Sequence, residues 1–158
     1  MKKTPIKCKK IMKITSKMVL KCTTEGFTKH KNNLELRKMV FDFYQENFTN
    51  PSRQVTNVNT GIVICFERGG ANKTAFGGSM YAKKATLVTI LDKICEHGCL
   101  YSVGKPKETD VPKGIICFLN FKANVIIDDK LEEVRFSVRT KKDGSFHYHI
   151  DTPLAIKK

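Results

Sequence analysis

The tightest constraint on this chain lies near its C-terminal end. Residues 133–139 alternate without exception: Val134, Phe136 and Val138 fall on one side, and Glu133, Arg135, Ser137 and Arg139 on the other. Residues 145–150 alternate again, with Phe146, Tyr148 and Ile150 opposed to Ser145, His147 and His149. A period of two marks a half-covered β-strand. The link Thr140-Lys141-Lys142-Asp143-Gly144 between the two runs therefore predicts a hairpin. Turn geometry selects its register. A two-residue Asp-Gly turn pairs Lys142 with Ser145, which sets Arg139 against Tyr148 and Val138 against His149, polar against apolar on both faces. A type I turn over residues 141–144, with Gly144 left-handed in a bulge, pairs Lys141 with Ser145. Val138 then opposes Tyr148, Phe136 opposes Ile150, Arg139 opposes His147 and Ser137 opposes His149. A one-residue slip exchanges the faces of a whole strand, so the second register is expected.

That register gathers Arg135, Ser137, Arg139, His147 and His149 on one sheet face, with cross-strand Cβ atoms about 4.5–5.5 Å apart. Two imidazoles beside two guanidiniums suit phosphodiester cleavage. One histidine deprotonates a ribose 2′-hydroxyl and the other protonates the leaving 5′-oxygen, while the arginines hold the phosphate. No metal is needed when the nucleophile belongs to the substrate. Two plainer readings compete. The polar face of an antiparallel sheet is ordinarily just solvated. Histidines two apart on a strand can also share a metal, but Asp151 points to the other face and no obvious third ligand follows.

The preceding residues supply helices and further strands. Residues 33–48 read as a helix: Asn32 with Glu35 resembles a capping box, Leu36, Val40 and Phe43 form a stripe, and Asn50-Pro51 stops it. The aromatic face of this helix reads as core packing. Residues 51–60 read as a polar connection, 61–67 as a buried strand, and 68–78 as a glycine-rich loop with Arg68, Lys73 and Thr74. That loop matches neither a Walker A motif nor a dinucleotide fingerprint. A second helix runs from Ser79 to about His97, with Gly98 as its stop. Strands follow at 99–103, 114–121 and 124–128, with Asp129-Lys130 in a turn; the apolar run 114–121 is expected to be covered on both sides. Helices first and strands later indicate an α+β fold.

The 158 residues favour one domain, divided here into a basic N-terminal segment, 1–32, and an α+β domain, 33–158. Net charge is +14, and residues 1–40 hold 12 Lys and Arg against only Glu25 and Glu35. Such polarity points to an anionic partner, nucleic acid above all. No apolar run is long enough to span a membrane. Lysines interrupt every apolar stretch near the start, so no secretory core forms, and a cytoplasmic location is expected unless a signal outside this chain directs delivery. Six cysteines stand at 8, 22, 65, 95, 99 and 117. Cys65 and Cys117 lie in apolar runs and act as small hydrophobes, and a reduced state is expected. Cys95-Glu96-His97-Gly98-Cys99 offers at most three zinc ligands and lacks a second pair.

Taken in order, GIVICFERGG, NKTAFGG, ILDKICEHG, KGIICFLNF, NVIID and VRFSVRTKKDGSFHYH resemble the barnase–EndoU–colicin–RelE-like ribonuclease domains, especially those of phage polyvalent proteins and polymorphic toxins. The likeness covers residues 61–151. It implies helices packed against a four- to five-stranded antiparallel sheet and metal-independent RNA cleavage, often of transfer RNA, leaving a 2′,3′-cyclic phosphate. It implies no cofactor. Carried over residue by residue, Lys73 and Thr74 match the element before the helix, Arg135, Ser137 and Arg139 the penultimate strand, and His147, Tyr148 and His149 the last. Many relatives have His where this chain has Lys73, and their closing His follows an Asp absent here. Arg68, Lys73, Lys83, Lys84, Arg135 and Arg139 are the expected nucleic-acid contacts. An acidic immunity or antitoxin protein is a further expected partner, by charge complementarity. The rival reading is a non-catalytic RNA- or DNA-binding module or phage accessory protein using the same surface.

Overall fold

The computed structural model describes residues 19–27, 32–49, 52–149 and 155–156. In chain order the elements are β1 Leu20–Cys22, α1 Asn33–Phe48, β2 Gln54–Thr56, β3 Val63–Cys65, α2 Gly70–Phe76, α3 Ala82–Thr89, α4 Leu91–His97, β4 Cys99–Gly104, a 3-10 turn Val111–Lys113, β5 Ile115–Ile127, β6 Lys130–Lys141, β7 Phe146–Tyr148 and β8 Ala155–Ile156. No helix among the described residues is long and apolar enough to cross a membrane.

The spine is the long antiparallel hairpin of β5 and β6, paired from Ile115↔Lys141 to Ile127↔Lys130. Its two-residue turn, Asp128-Asp129, has both φ angles positive, at 49° and 66°, the geometry whose twist matches the flanking strands. The other strands attach to this spine in the order β1-β5-β6-β7-β3-β2, with β4 beside β5 and β8 beside β6. The sheet therefore has eight strands and is mixed, because β1 runs parallel to β5 and β3 parallel to β7. An antiparallel sheet of four or five strands is not what forms. Local pattern sets which side of a strand is covered, whereas these parallel partners come from distant parts of the chain. Leu20–Cys22, within the basic N-terminal stretch, lies in register with Val125–Ile127.

Three segments differ from their sequence reading for local reasons. Residues 68–78 contain the helix α2, not only a loop; its buried positions are Gly70, Ala71, Thr74 and Ala75, a helical stripe of residues too small to register as hydrophobic. Gly70 is required there, since a Cβ would overlap the Tyr44 hydroxyl of α1. Residues 79–97 form two helices. Thr86 and Thr89 donate their hydroxyls to the backbone oxygens of Ala82 and Thr86, competing with the helical ladder just before the break at Ile90. Residues 115–127 form one strand rather than two, because Lys122 and Asn124 simply take outward positions between buried Phe121, Ala123, Val125 and Ile127. The same strand is covered on one side only: Ile116 on its outer side is exposed. Residues 54–56, read as connection, are an edge strand paired with β3.

The helices cover the inner face of the sheet. A continuous aromatic series links them to it: Tyr44 and Phe48 of α1, Phe66 just after β3, Tyr148 of β7, then Phe136 and Phe121. Successive ring centroids lie 5.2, 4.8, 5.6, 6.4 and 5.1 Å apart, within the favourable range for ring pairs. Helix α1 begins as its sequence predicts, with the Asn32 side chain accepting from the Leu34 N–H at 2.9 Å. It ends at Phe48, and Asn50-Pro51 lies outside the described residues. Asn57 and Asn59 are buried and cap the end of α4; Asn57 donates to the oxygens of Cys95 and Gly98, and Asn59 to that of Gly98. Cys95 and Cys99 are buried beside them.

Candidate functional site

The aromatic series decides what faces outward. With Tyr148 inward, His147 and His149 must point to the other side of the sheet. With Phe136 and Val138 inward, Arg135, Ser137 and Arg139 point there too. With Phe66 inward, so does Glu67. The predicted hairpin register is the one that forms: Val138 pairs with Tyr148, Arg139 with His147, and the His149 N–H donates to the Ser137 oxygen at 2.9 Å. The Lys141 N–H donates to the Ser145 oxygen at 3.0 Å, and Gly144 takes φ +87° in the bulge. Ile150 and Asp151 lie outside the described residues.

The outer face thus brings together all five residues of the polar hairpin face, and adds partners. Glu67 is the hub. Its Oε1 contacts Arg139 Nη2, while its Oε2 lies 3.4 Å from Lys141 Nζ and 3.1 Å from His147 Nδ1. The last contact lies off the axis of the ring N–H, so it is electrostatic rather than an aligned hydrogen bond. On the other side of the ring, Nε2 is 2.8 Å from Ser145 Oγ. Ser145 Oγ also bonds Asp143 Oδ1, which accepts from the Ser145 N–H at 2.9 Å as well. These bonds hold the Asp143 carboxyl below its usual range, with His147 and Lys141 adding to the effect.

The chain Asp143–Ser145–His147–Glu67 has carboxylates at both ends. The Ser145 hydroxyl lies within bonding distance of both Asp143 Oδ1 and His147 Nε2, while Nδ1 faces Glu67 without an aligned hydrogen bond. Burial of the ring lowers the His147 pKa from its ordinary 6.5; Glu67 opposes that shift, Lys141 and Arg139 reinforce it, and Asp143 opposes it, with a net shift downward. The imidazole is therefore neutral at neutral pH, the form a general base requires.

His149 occupies a different setting two residues on. Its ring lies against Phe118, with centroids 4.7 Å apart. It lines a cleft of about 460 Å³ whose other walls include Ser137, Asn120, Lys105, Lys107 and Lys113. The floor is a polar ladder: Ser137 Oγ donates to Asn120 Oδ1 at 2.7 Å, and Asn120 Nδ2 donates to Ser102 Oγ at 2.9 Å. A second depression, of about 530 Å³, opens on the Ser145 side, against Gln54, Ile62, Val63 and Phe146. Arg135 is stacked over the exposed Tyr101 ring at 5.1 Å and bonded to Glu133.

The remaining sequence candidates lie elsewhere. Tyr148 is fully buried on the inner face, and Thr74 is buried in α2. Lys83 pairs at 2.6 Å with Glu132, an inward residue of β6, on the helical side of the sheet. Lys84 is buried and donates to the Ser79 oxygen at 3.0 Å; burial, with Arg37 nearby, pulls its ammonium below the ordinary value. Arg68 and Lys73 are exposed, Arg68 in the turn beside Glu67 and Lys73 on α2. Among the described residues, no three His, Cys, Asp or Glu side chains converge to hold a metal. Glu67 was not among the sequence candidates, and Lys141 and Ser145, although placed in the hairpin register, were given no role at the site. The alternation Ile64-in, Cys65-out, Phe66-in, Glu67-out was a usable signal, but the parallel pairing of β3 with β7 that delivers Glu67 to His147 was not legible.

No curated protein and no solved structure matches the chain. A family model does: large polyvalent protein-associated domain 3, over residues 31–148. That span runs from the start of α1 through Tyr148 and so takes in both the aromatic series and the Glu67–His147 cluster. With most of its length matched, the chain belongs to the family of large polyvalent protein-associated domain 3.

Proposed function

We propose that this domain is a metal-independent endoribonuclease acting at the outer face of its sheet. The observation that carries the reading is the chain of contacts Asp143–Ser145–His147–Glu67, with Arg139 paired across the strands and His149 two residues away. His147 is the general base. A ribose 2′-hydroxyl takes the place of Ser145 Oγ at Nε2, and Ser145 keeps its bond to Asp143. The hydroxyl proton passes to Nε2 as the 2′-oxygen attacks phosphorus, and Glu67 stabilises the imidazolium and orients the ring. His149 gives a proton to the leaving 5′-oxygen as the P–O5′ bond breaks. The products are a 2′,3′-cyclic phosphate and a 5′-hydroxyl. Arg135 and Arg139 offset charge growing on the phosphoryl oxygens. The basic composition and the ribonuclease-like closing hairpin support the same reading.

Incubation with total RNA in the presence of a chelator, followed by mapping of fragment ends, tests it. Fragments ending in cyclic phosphate are expected, and RNA carrying 2′-O-methyl groups should resist. Equal cleavage of methylated and native RNA rejects the 2′-hydroxyl mechanism. Salt-sensitive binding without any product supports the non-catalytic binding module instead.

A further inference from the structure

We infer that the cleft beneath the 105–114 loop holds the nucleotide on the 3′ side of the scissile linkage, with that nucleotide's own 3′-phosphate on the loop lysines. The inference rests on the catalytic roles above and adds a direction for the RNA strand. If His147 takes the proton from the upstream 2′-hydroxyl and His149 gives one to the downstream 5′-oxygen, the downstream nucleoside must lie on the His149 side. That side is the cleft. Its chemistry suits a nucleotide: Phe118 offers a ring at the wall, and base–aromatic stacking contributes without demanding a sequence. The Asn120–Ser137 floor is already hydrogen-bonded within itself, so it selects no base by leaving a donor or acceptor unmet.

The loop supplies the anion site. Lys105, Lys107 and Lys113 all line the cleft and are exposed. The loop also carries two acidic residues, Glu108 and Asp110; only Asp110 lines the cleft, and its Oδ2 accepts from the Lys107 backbone N–H at 2.9 Å. Backbone bonds from Asp110 and Val111 to the Lys107 oxygen, and from Lys142 to the Gly114 oxygen, fix the loop's shape. Pro106 and Pro112 further limit its freedom, so little ordering is left for binding. The opposite depression, beside Ser145, is lined by Gln54, Ile62, Val63 and Phe146 and carries no lysine or arginine. A phosphate added 5′ of the upstream nucleotide gains nothing comparable there.

Calorimetric titration of the full chain with three 2′-O-methyl dinucleotides tests the assignment: the plain NpN, the 3′-phosphorylated NpNp and the 5′-phosphorylated pNpN. NpNp should bind roughly tenfold tighter than NpN, the gain of one charge-assisted phosphate contact, and pNpN about as NpN does. In a Lys105→Ala/Lys113→Ala variant the advantage of NpNp should vanish. Tighter binding of pNpN than NpNp, or an NpNp advantage that survives the double substitution, overturns the inference. Cleavage to cyclic phosphate without any 3′-phosphate gain overturns the subsite alone. A gain without cleavage keeps the subsite and overturns the catalytic reading. Absence of binding by all three overturns the subsite, while cleavage of longer RNA judges the function separately.

Discussion

His147 and His149 share a strand and a face, yet they occupy opposite electrostatic settings. His147 is enclosed: its side chain is 16% exposed and those of Arg139 and Glu67 are 13% and 28% exposed, so cations and carboxylate largely cancel within a shielded cluster. His149 borders an open cleft with three lysines and a phenylalanine ring. The lesson is that register assigns a residue to a face, whereas tertiary partners assign its chemistry. Period two placed both rings outward. Only the parallel pairing of β3 with β7 gave one of them a carboxylate.

Substitutions that attack the enclosed cluster should have the largest effects. His147→Ala is expected to lower turnover by about 10²–10⁴-fold, with little change in the affinity for 2′-O-methyl RNA. Glu67→Gln should also lower turnover, but it frees Arg139 and Lys141 from their carboxylate. RNA binding should then tighten even as cleavage falls. Single-turnover rates beside binding isotherms separate the two. Loss of affinity in Glu67→Gln would show that Glu67 serves mainly to hold the face together.

The inner face should respond in stability rather than chemistry. Tyr148 is fully buried between the rings of Phe66 and Phe136, so Tyr148→Ala should destabilise the domain by about 3–5 kcal/mol, read from denaturant unfolding. Tyr148→Phe keeps the ring and should retain cleavage, because the phenol does not reach the outer face. A large loss of turnover at unchanged stability would return Tyr148 to the catalytic group that its sequence position suggested.

What the sequence made legible follows from the range of the forces involved. Alternation in 133–139, the bulge at Gly144 and the cap at Asn32 are settled by neighbours within a few residues, and each forms as expected. The helix of small residues at 70–76 was hidden because its packing rests on close approach to Tyr44 rather than on apolar bulk. The parallel strands, Glu67 beside His147 and the lysine loop over His149 all depend on contacts between distant segments, and no local pattern encodes them.

The hairpin itself can be tested at Gly144, with a smaller effect. Its φ of +87° lies in the region that L side chains avoid, and nothing lies within 4 Å of a Cβ built there. Gly144→Ala therefore carries a backbone penalty alone, about 1–2 kcal/mol, and Gly144→Asn should recover part of it. A loss of cleavage beyond that destabilisation would mean the turn positions Ser145, and with it His147 Nε2, as well as closing the hairpin.

The smallest expected effect sharpens the contrast between the two rings most directly. Burial and the Lys141 and Arg139 cations depress the His147 pKa below 6.5, while Glu67 and Asp143 raise it. A base of depressed pKa is active when neutral, so the acidic limb of the cleavage profile should fall below pH 6.5. The same ring links pH to folding. Its neutral form is favoured in the native state, so this contribution to stability is present above 6.5 and is lost as pH falls through the depressed native value. Lys141→Ala removes a lowering influence, so the acidic limb should move to higher pH; Glu67→Gln removes a raising one, so the limb should move lower. An acidic limb that stays in place in both variants would mean that His147 is not the group whose protonation stops cleavage.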